Sequence, residues 1–285
     1  DRSGHLRHSD CEVNTITPQA VTTADDPRLH DYRNLTDIPG RRKLEGDQFF
    51  ICEGPVAIER LFASGHQIRS ALVLHEKAPR LQELYEAHDV NVPLFTCDRD
   101  TMIAVTGFDL HRGVIAAADR KPIPTGSQRN DVLAGLSKIA VLEGLNDPEN
   151  LGAIARSAHA LGVQALVLDE RCIDPYTRRS VRVSMGEVLH VPTMRFTSAN
   201  DLNNLLTGWT TWALTPHHSA DDIWQLDVPP RLALMLGAEG PGLLDATMKI
   251  AERQVRIPLH DDVDSLNVGN AAAAAFAIVG RPSTS

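Results

Sequence analysis

Aromatic side chains make up only 5% of this 285-residue sequence. Lysine plus arginine (28) also fall short of aspartate plus glutamate (37), leaving a formal charge of −9. That acidic balance excludes a protein that coats nucleic acid through bulk positive charge, while a local basic patch remains allowed. Cysteine is sparse: Cys11, Cys52, Cys97 and Cys172 stand far apart, with no CxxC pair and no Cys/His group at zinc spacing. A disulfide scaffold and a structural metal site are therefore excluded, and free thiols in a reducing cytoplasm are expected. Long apolar runs are missing too. Residues 202–220 lack Asp, Glu, Lys and Arg but carry Asn203, Asn204, several Thr and two His, and 271–279 reaches only about half a bilayer span. Residues 1–30 hold Asp1, Asp10, Glu12, Asp25 and Asp26 without an apolar block, which is unlike a secretion signal. A start at Asp1 instead of Met is expected to reflect processing or trimming.

What remains is an ordinary globular composition, 42% hydrophobic and 23% charged. At about 150 residues per domain, the length predicts two domains. Residues 1–30 show neither helical nor strand periodicity and read as an arm ordered only by docking. From Phe49 the pattern tightens. Phe49–Glu53 reads as a strand, 55–64 as a helix with Val56, Ile58, Leu61 and Phe62 at helical spacing, 70–75 as a strand, 81–88 as a helix, and 92–95 and 114–118 as strands. This predicts a small α/β domain over 31–118. Pro122, Pro124, Gly126, Ser127 and Gln128 mark 119–136 as a linker. Beyond it, an apolar strand (138–142), a helix (151–161) and a second apolar strand (165–168) form a crossover unit that requires parallel pairing. Strand candidates at 212–215, 232–236 and 254–257 complete an open parallel α/β sheet over 137–285.

Three segments in this second region carry chemistry. Asn150-x-Gly152-x-x-x-Arg156 opens the first helix after a strand, and the reading places both polar residues at the sheet's carboxyl edge, where such sheets bind ligands. Taken alone, a helix cap and a solvated arginine explain it equally well. Gly237-Ala238-Glu239-Gly240-Pro241-Gly242-Leu243 follows the strand at 232–236 and predicts a tight turn of exposed backbone donors and acceptors around one carboxylate. It is not a dinucleotide fingerprint, which needs G-x-G-x-x-G opening a helix. Ile257-Pro258, then Ser265-Leu266-Asn267-Val268-Gly269-Asn270, runs into an alanine-rich helix able to pack against backbone at short range.

In order, position and identity, these three segments closely resemble the SpoU/TrmH group of SPOUT RNA 2′-O-ribose methyltransferases, whose motifs read N-x-G-x-x-x-R, G-x-E-x-x-G-L and I-P…S-L-N-V. The likeness covers about 137–280. A weaker likeness, resting on Phe50-Ile51-Cys52-Glu53-Gly54 and His111-Arg112-Gly113-Val114, marks the front region as a substrate-recognition domain. The resemblance implies a C-terminal trefoil knot holding S-adenosylmethionine, with Gly237, Gly242, Ile257 and Leu266 as cofactor contacts and Leu214 and Thr215 beside them. It implies a homodimer whose pocket the second subunit completes. By the same resemblance, Arg156 stabilises the oxyanion of a ribose 2′-hydroxyl or acts as its base. Asn150 and Asn267 orient the arginine and the ribose, Ser265 hydrogen-bonds near the reacting group, and Glu239 fixes the loop and reaches Arg156 across the pocket. Where the family continues S-L-N-V-S, this chain has Gly269, so a hydroxyl there is absent.

RNA attraction must come from local charge, for which Arg41, Arg42 and Lys43 and the group Arg178, Arg179 and Arg182 are the candidates. Ribosomal RNA is the expected substrate. The alternatives are transfer RNA, a non-catalytic RNA-binding scaffold, to which the intact Arg156, Glu239 and Asn267 are opposed, and a nicotinamide-dependent dehydrogenase, to which the missing fingerprint is opposed.

Overall fold

The computed structural model describes residues 16–260 and 263–280. In chain order, the first elements are β1 (Gln19–Ala20), α1 (Ile38–Glu45), β2 (Phe49–Glu53), α2 (Pro55–Ala63), β3 (Ile68–Leu74), α3 (Ala78–Ala87), β4 (Leu94–Cys97), α4 (Arg99–Thr106) and β5 (Val114–Asp119). There follow α5 (Gln128–Leu133), β6 (Lys138–Glu143), α6 (Pro148–Ala160), β7 (Leu166–Asp169), α7 (Arg178–Val183), β8 (Thr193–Phe196), α8 (Ala199–Leu205) and β9 (Thr210–Leu214). The chain ends with β10 (Asp221–Asp222), β11 (Leu232–Gly237), α9 (Asp245–Met248), β12 (Arg253–Arg256) and α10 (Val268–Val279). Among the described residues there are two compact units: one holds the chain up to Gly46 with Ile68–Ala117, the other Asp47–Gln67 with the chain from Ala118 onward.

In the first unit β1, β4 and β3 pair in parallel, Gln19 opposite Phe95 and Ala71 opposite Leu94. The short β1 and a 3₁₀ turn at Pro27–Tyr32 bury Val21, Leu29 and Tyr32, and the Tyr32 hydroxyl meets Ser70 Oγ at 2.6 Å. The described part of the predicted arm, from residue 16, packs within this unit. Arg41 does not join a phosphate-facing cluster. Its side chain is buried, ion-pairs with Glu45 at 2.6 Å and donates to the carbonyls of Asp31 and Arg33. A guanidinium with five donors finds enough acceptors there to stay inside, which leaves Arg42 and Lys43 as the exposed members of that group.

The second unit carries a seven-stranded sheet in the order β10-β12-β9-β11-β6-β7-β8, with every adjacent pair parallel. Its central strands are apolar on both faces, as helices on both sides of a parallel sheet demand. β6, β7 and β11 bury Val141, Val167, Ala233 and Met235 completely. The strands predicted at 138–142, 165–168, 212–215, 232–236 and 254–257 are present within two residues at each end. β8 was not visible in the sequence because Thr193-Met194-Arg195-Phe196 is short and half polar, and α5 forms inside the stretch with linker composition.

Gly152 is where α6 and α7 cross. A Cβ there would lie 2.8 Å from the Ser180 carbonyl oxygen and 3.0 Å from Val183 Cβ, so the glycine serves helix packing. α10 packs on α6 and β11. The close approach continues to its end, where a Cβ on Gly280 would strike the Leu161 carbonyl oxygen.

In the same unit His66 is buried. Its Nδ1 shares a hydrogen bond with Ser64 Oγ at 2.8 Å, and its Nε2 lies 3.2 Å from the Tyr176 hydroxyl. Burial, reinforced by the Lys121 charge, lowers its pKa to about 4. A folded pKa depressed below the unfolded value of about 6.5 gives stability that is complete above pH 6.5 and is lost as pH falls towards 4. Solvent screening on its open side holds the total to about 2 kcal/mol. Urea unfolding of the wild type is expected to lose this amount between pH 7 and pH 4.5, and His66→Gln to flatten that part of the profile. An unchanged slope in the variant would contradict the assignment.

Candidate active site

The three segments singled out in the sequence meet at the carboxyl ends of β6 and β11, where Gly237 stands opposite Glu143 in register. After Gly237 the chain must reverse at once. The Gly242 N–H donates to the Ala238 carbonyl at 3.0 Å, and Gly240 and Gly242 take φ of +84° and +69°, a region open to glycine and strained for other residues. Gly237 is fixed for a different reason, because its missing Cβ would fall 2.0 Å from the Gly242 carbonyl carbon. The loop folds back on its own origin.

Three side chains tie the segments together. Asn267 Nδ2 donates to Asn150 Oδ1 at 2.9 Å and to Glu239 Oε1 at 2.5 Å, and Asn150 Nδ2 donates to the same Glu239 oxygen at 3.2 Å. Asn267 Oδ1 simultaneously caps α10, accepting from the N–H groups of Gly269 and Asn270 at 2.9 and 3.3 Å. Asparagine suits this position because one amide both donates and accepts. Asn150, Glu239 and Asn267 therefore form one network inside a single chain.

A cavity of about 580 Å³ opens beside the network. Leu214, Thr215, Gly237, Gly242, Ile257 and Leu266 all line it, as do Glu239, Ser265 and Asn267. Leu236, Leu259, Val268 and Ala271 add apolar wall, and Asp264 adds a second carboxylate. Apolar slots edged by main chain and acids suit a ligand that combines a flat heterocycle with positive charge.

Arg156 is placed elsewhere. It is exposed, lines neither this cavity nor its neighbour, and makes no hydrogen bond or ion pair among the described residues. The expected reach of Glu239 to Arg156 is replaced by its bonds to Asn150 and Asn267. Helical phase explains the separation: six residues turn the helix by about 600°, so Arg156 points about 120° away from Asn150.

A second cavity of about 380 Å³ shares Ala238, Glu239, Gly242 and Val268 with the first and extends over Gly144, Asn146, Asp147 and Asn150 to Arg171. Sequence reasoning missed this side. The one available signal was that Asp169-Glu170-Arg171 closes an apolar strand at the sheet's ligand-binding edge. Burial works against the Asp169 charge, but hydrogen bonds from Gly144, Cys172 and Arg171 outweigh it and hold the carboxyl below its ordinary range. Burial beside that carboxylate pushes the Cys172 thiol up to about 12, so it stays protonated and inert. Glu143 is buried as well, accepting from the Leu244 N–H at 2.9 Å and from Thr247 Oγ1 at 2.8 Å, which anchors the far end of the glycine loop.

Comparison with known proteins gives the same lineage by an independent route. The SpoU rRNA Methylase family model matches residues 137–277. An uncharacterized tRNA/rRNA methyltransferase of Mycobacterium tuberculosis is 43% identical over 90% of this chain and 90% of its own length. The chain belongs to the SpoU rRNA methylase family. A 23S rRNA (guanosine-2′-O-)-methyltransferase of Bordetella pertussis, RlmB, is 32% identical over 57% of this chain and 67% of its own. A crystal structure of an RNA 2′-O ribose methyltransferase superposes with a TM-score of 0.71 at 27% identity, covering 92% of this chain and 98% of that one.

In this SpoU-family chain the second arginine group is engaged with acids. Arg178 Nη1 lies 2.7 Å and Arg182 Nη1 3.2 Å from the buried Glu53 carboxylate, and Arg179 pairs with Glu149. Arg179 and Arg182 stay largely open to solvent in spite of these contacts. Among the described residues no helix is long and apolar enough to cross a membrane.

Proposed function

We propose that this protein transfers a methyl group from S-adenosylmethionine to a ribose 2′-hydroxyl of RNA, with ribosomal RNA as substrate. The observation that carries the reading is the Asn150–Glu239–Asn267 network at the junction of two cavities, with Glu239 lining both, Asn267 the larger and Asn150 the smaller. In-line displacement requires donor and acceptor to approach one point from opposite sides, and two cavities that adjoin along one edge provide that point.

S-adenosylmethionine supplies an electrophilic methyl on a positively charged sulfur. The larger cavity fits it: main chain at Gly237, Ile257 and Leu266 is available to a heterocycle, leucine side chains exclude water, and Glu239 and Asp264 offset positive charge. On the acceptor side a hydroxyl is a weak acid, so its proton must be accepted or its developing charge stabilised. Asn150 and Asn267 hold the Glu239 carboxylate still by donating to Oε1, and the ribose is oriented against this fixed group. Ser265, which makes no hydrogen bond among the described residues, adds a hydroxyl at the rim.

Arg156 is the oxyanion-stabilising group in this reading. Its exposed position, unpaired among the described residues, suits delivery into the site of a second copy, so the active form is a homodimer. The run after β12 threads the chain into a trefoil knot around the cofactor. Residues 31–118 serve RNA recognition, joined through 119–136 to the catalytic region 137–285, and Arg42, Lys43, Arg179 and Arg182 meet phosphate.

The decisive assay incubates the protein and labelled S-adenosylmethionine with in vitro transcribed ribosomal and transfer RNA, then maps the methyl by mass spectrometry of nuclease fragments. Label on one ribose of ribosomal RNA is expected. Label on a base, or on neither RNA, would refute the proposal, and label confined to transfer RNA would reassign the substrate.

A further inference from the structure

The smaller cavity has an unusual electrostatic make-up for an RNA site. Its charged lining comprises Glu143, Asp147, Glu239 and a single cation, Arg171, with the buried Asp169 directly behind. A phosphate placed there would meet an excess of negative charge, whereas a neutral nucleoside would not.

Arg171 is held by one edge only. Its Nε donates to Asp169 Oδ2 at 2.8 Å, its Nη2 lies 3.6 Å from Glu143 Oε1, and the guanidinium passes over Gly144, where a Cβ would come within 3.7 Å of Nη2. Neither Nη1 nor Nη2 makes a hydrogen bond among the described residues, and the side chain is 55% exposed. The inner edge of the fork is thus spent on orientation and the outer pair of N–H groups is left open. Two parallel donors at fixed spacing match two adjacent acceptors, the arrangement that guanine presents at O6 and N7. The acids on the remaining wall suit the N–H donors on guanine's other edge.

Building on the methyltransferase reading, we propose that this cavity receives the ribose and base of the acceptor nucleotide and that Arg171 selects guanine by paired donation to O6 and N7. Asp169 and Glu143 act as positioning residues, because they fix the plane of the fork from the ends of β7 and β6.

The test uses the full chain and the RNA transcript methylated in the mapping assay, prepared with guanosine or with 7-deazaguanosine at the methylated position only. Removing N7 takes away one of the two acceptors without changing the shape of the base. Wild type is expected to lose about tenfold in kcat/KM on the 7-deaza transcript, the range of one base-edge contact. Arg171→Ala is expected to lose about tenfold on the guanosine transcript and to treat the two transcripts alike within about twofold. Arg171→Lys, which keeps the charge without the fork, is expected to remain insensitive to the 7-deaza change. Calorimetric affinity for S-adenosylmethionine is expected to be unchanged in both variants, which separates a lost base contact from a collapsed site.

Equal 7-deaza penalties in wild type and Arg171→Ala overturn the inference, as does a methyl mapped to any nucleotide other than guanosine. A wild-type protein that methylates neither ribosomal nor transfer RNA instead overturns the function on which it rests.

Discussion

Asn267→Ser is expected to lower methyl transfer about a hundredfold while costing about 1.5–3 kcal/mol of stability, with the cap of α10 kept. Two roles converge on this amide, and serine separates them. Serine caps helices about as well as asparagine, so the first N–H groups of α10, now held by Asn267 Oδ1, keep an acceptor. It cannot supply Nδ2, whose donation to Asn150 and to the Glu239 carboxylate joins the three segments. A hydrogen bond to a charged group contributes about 1.5–3 kcal/mol, and a carboxylate freed to swing misaligns both cavity walls it serves. Asn267→Ala should show the same catalytic loss together with about 1 kcal/mol more lost stability than serine, from the missing cap. Thermal melts and single-turnover methylation read the two effects separately. Serine and alanine variants with wild-type turnover would remove the network from the mechanism.

Gly237→Ala should have a larger effect on the cofactor than on the fold. The added carbon would lie 2.0 Å from the Gly242 carbonyl carbon, 2.2 Å from the Leu243 nitrogen and 2.4 Å from the Gly242 oxygen. All three atoms are backbone, so no rotamer change relieves the contact and the loop itself must open. Overpacking of this kind costs about 1–3 kcal/mol, affordable for a domain of this size. Displacing the loop by about 1 Å shifts the wall between the two cavities, and misplacement on that scale costs about a hundredfold in function. Calorimetry should therefore find S-adenosylmethionine affinity down by about that factor with a cooperative melt retained. Wild-type affinity in this variant would mean that the ligand does not rest on the loop.

The two variants probe features of different legibility. Gly237 and Asn267 were readable as candidates because each belongs to a short segment whose residue types make sense together: glycines around an acid, and a capping amide before an alanine-rich helix. The strands that carry them were readable for the same local reason, since buried parallel strands are written as apolar runs. Arg156 was readable as a residue, but its separation from Asn150 within one chain follows from helical phase, since six positions leave the two side chains about 120° apart. Arg41 looked like part of a basic surface cluster. Its burial depended on carbonyls at Asp31 and Arg33, whose approach no local pattern announces. Arg171 carried no motif, and its partner Glu143 lies on a different strand.

The sequence by itself determined which stretches become strands and helices, the chemistry of the three segments and the lineage they belong to, because secondary structure and motif chemistry depend on near neighbours along the chain. Tertiary structure alone decided that β11 lies against β6 on the side away from β7, so that Glu239, Glu143 and Arg171 border one cavity. Strands pair through backbone groups that every residue carries. Their order is therefore not encoded in any single segment and follows only when the whole sheet buries both of its faces.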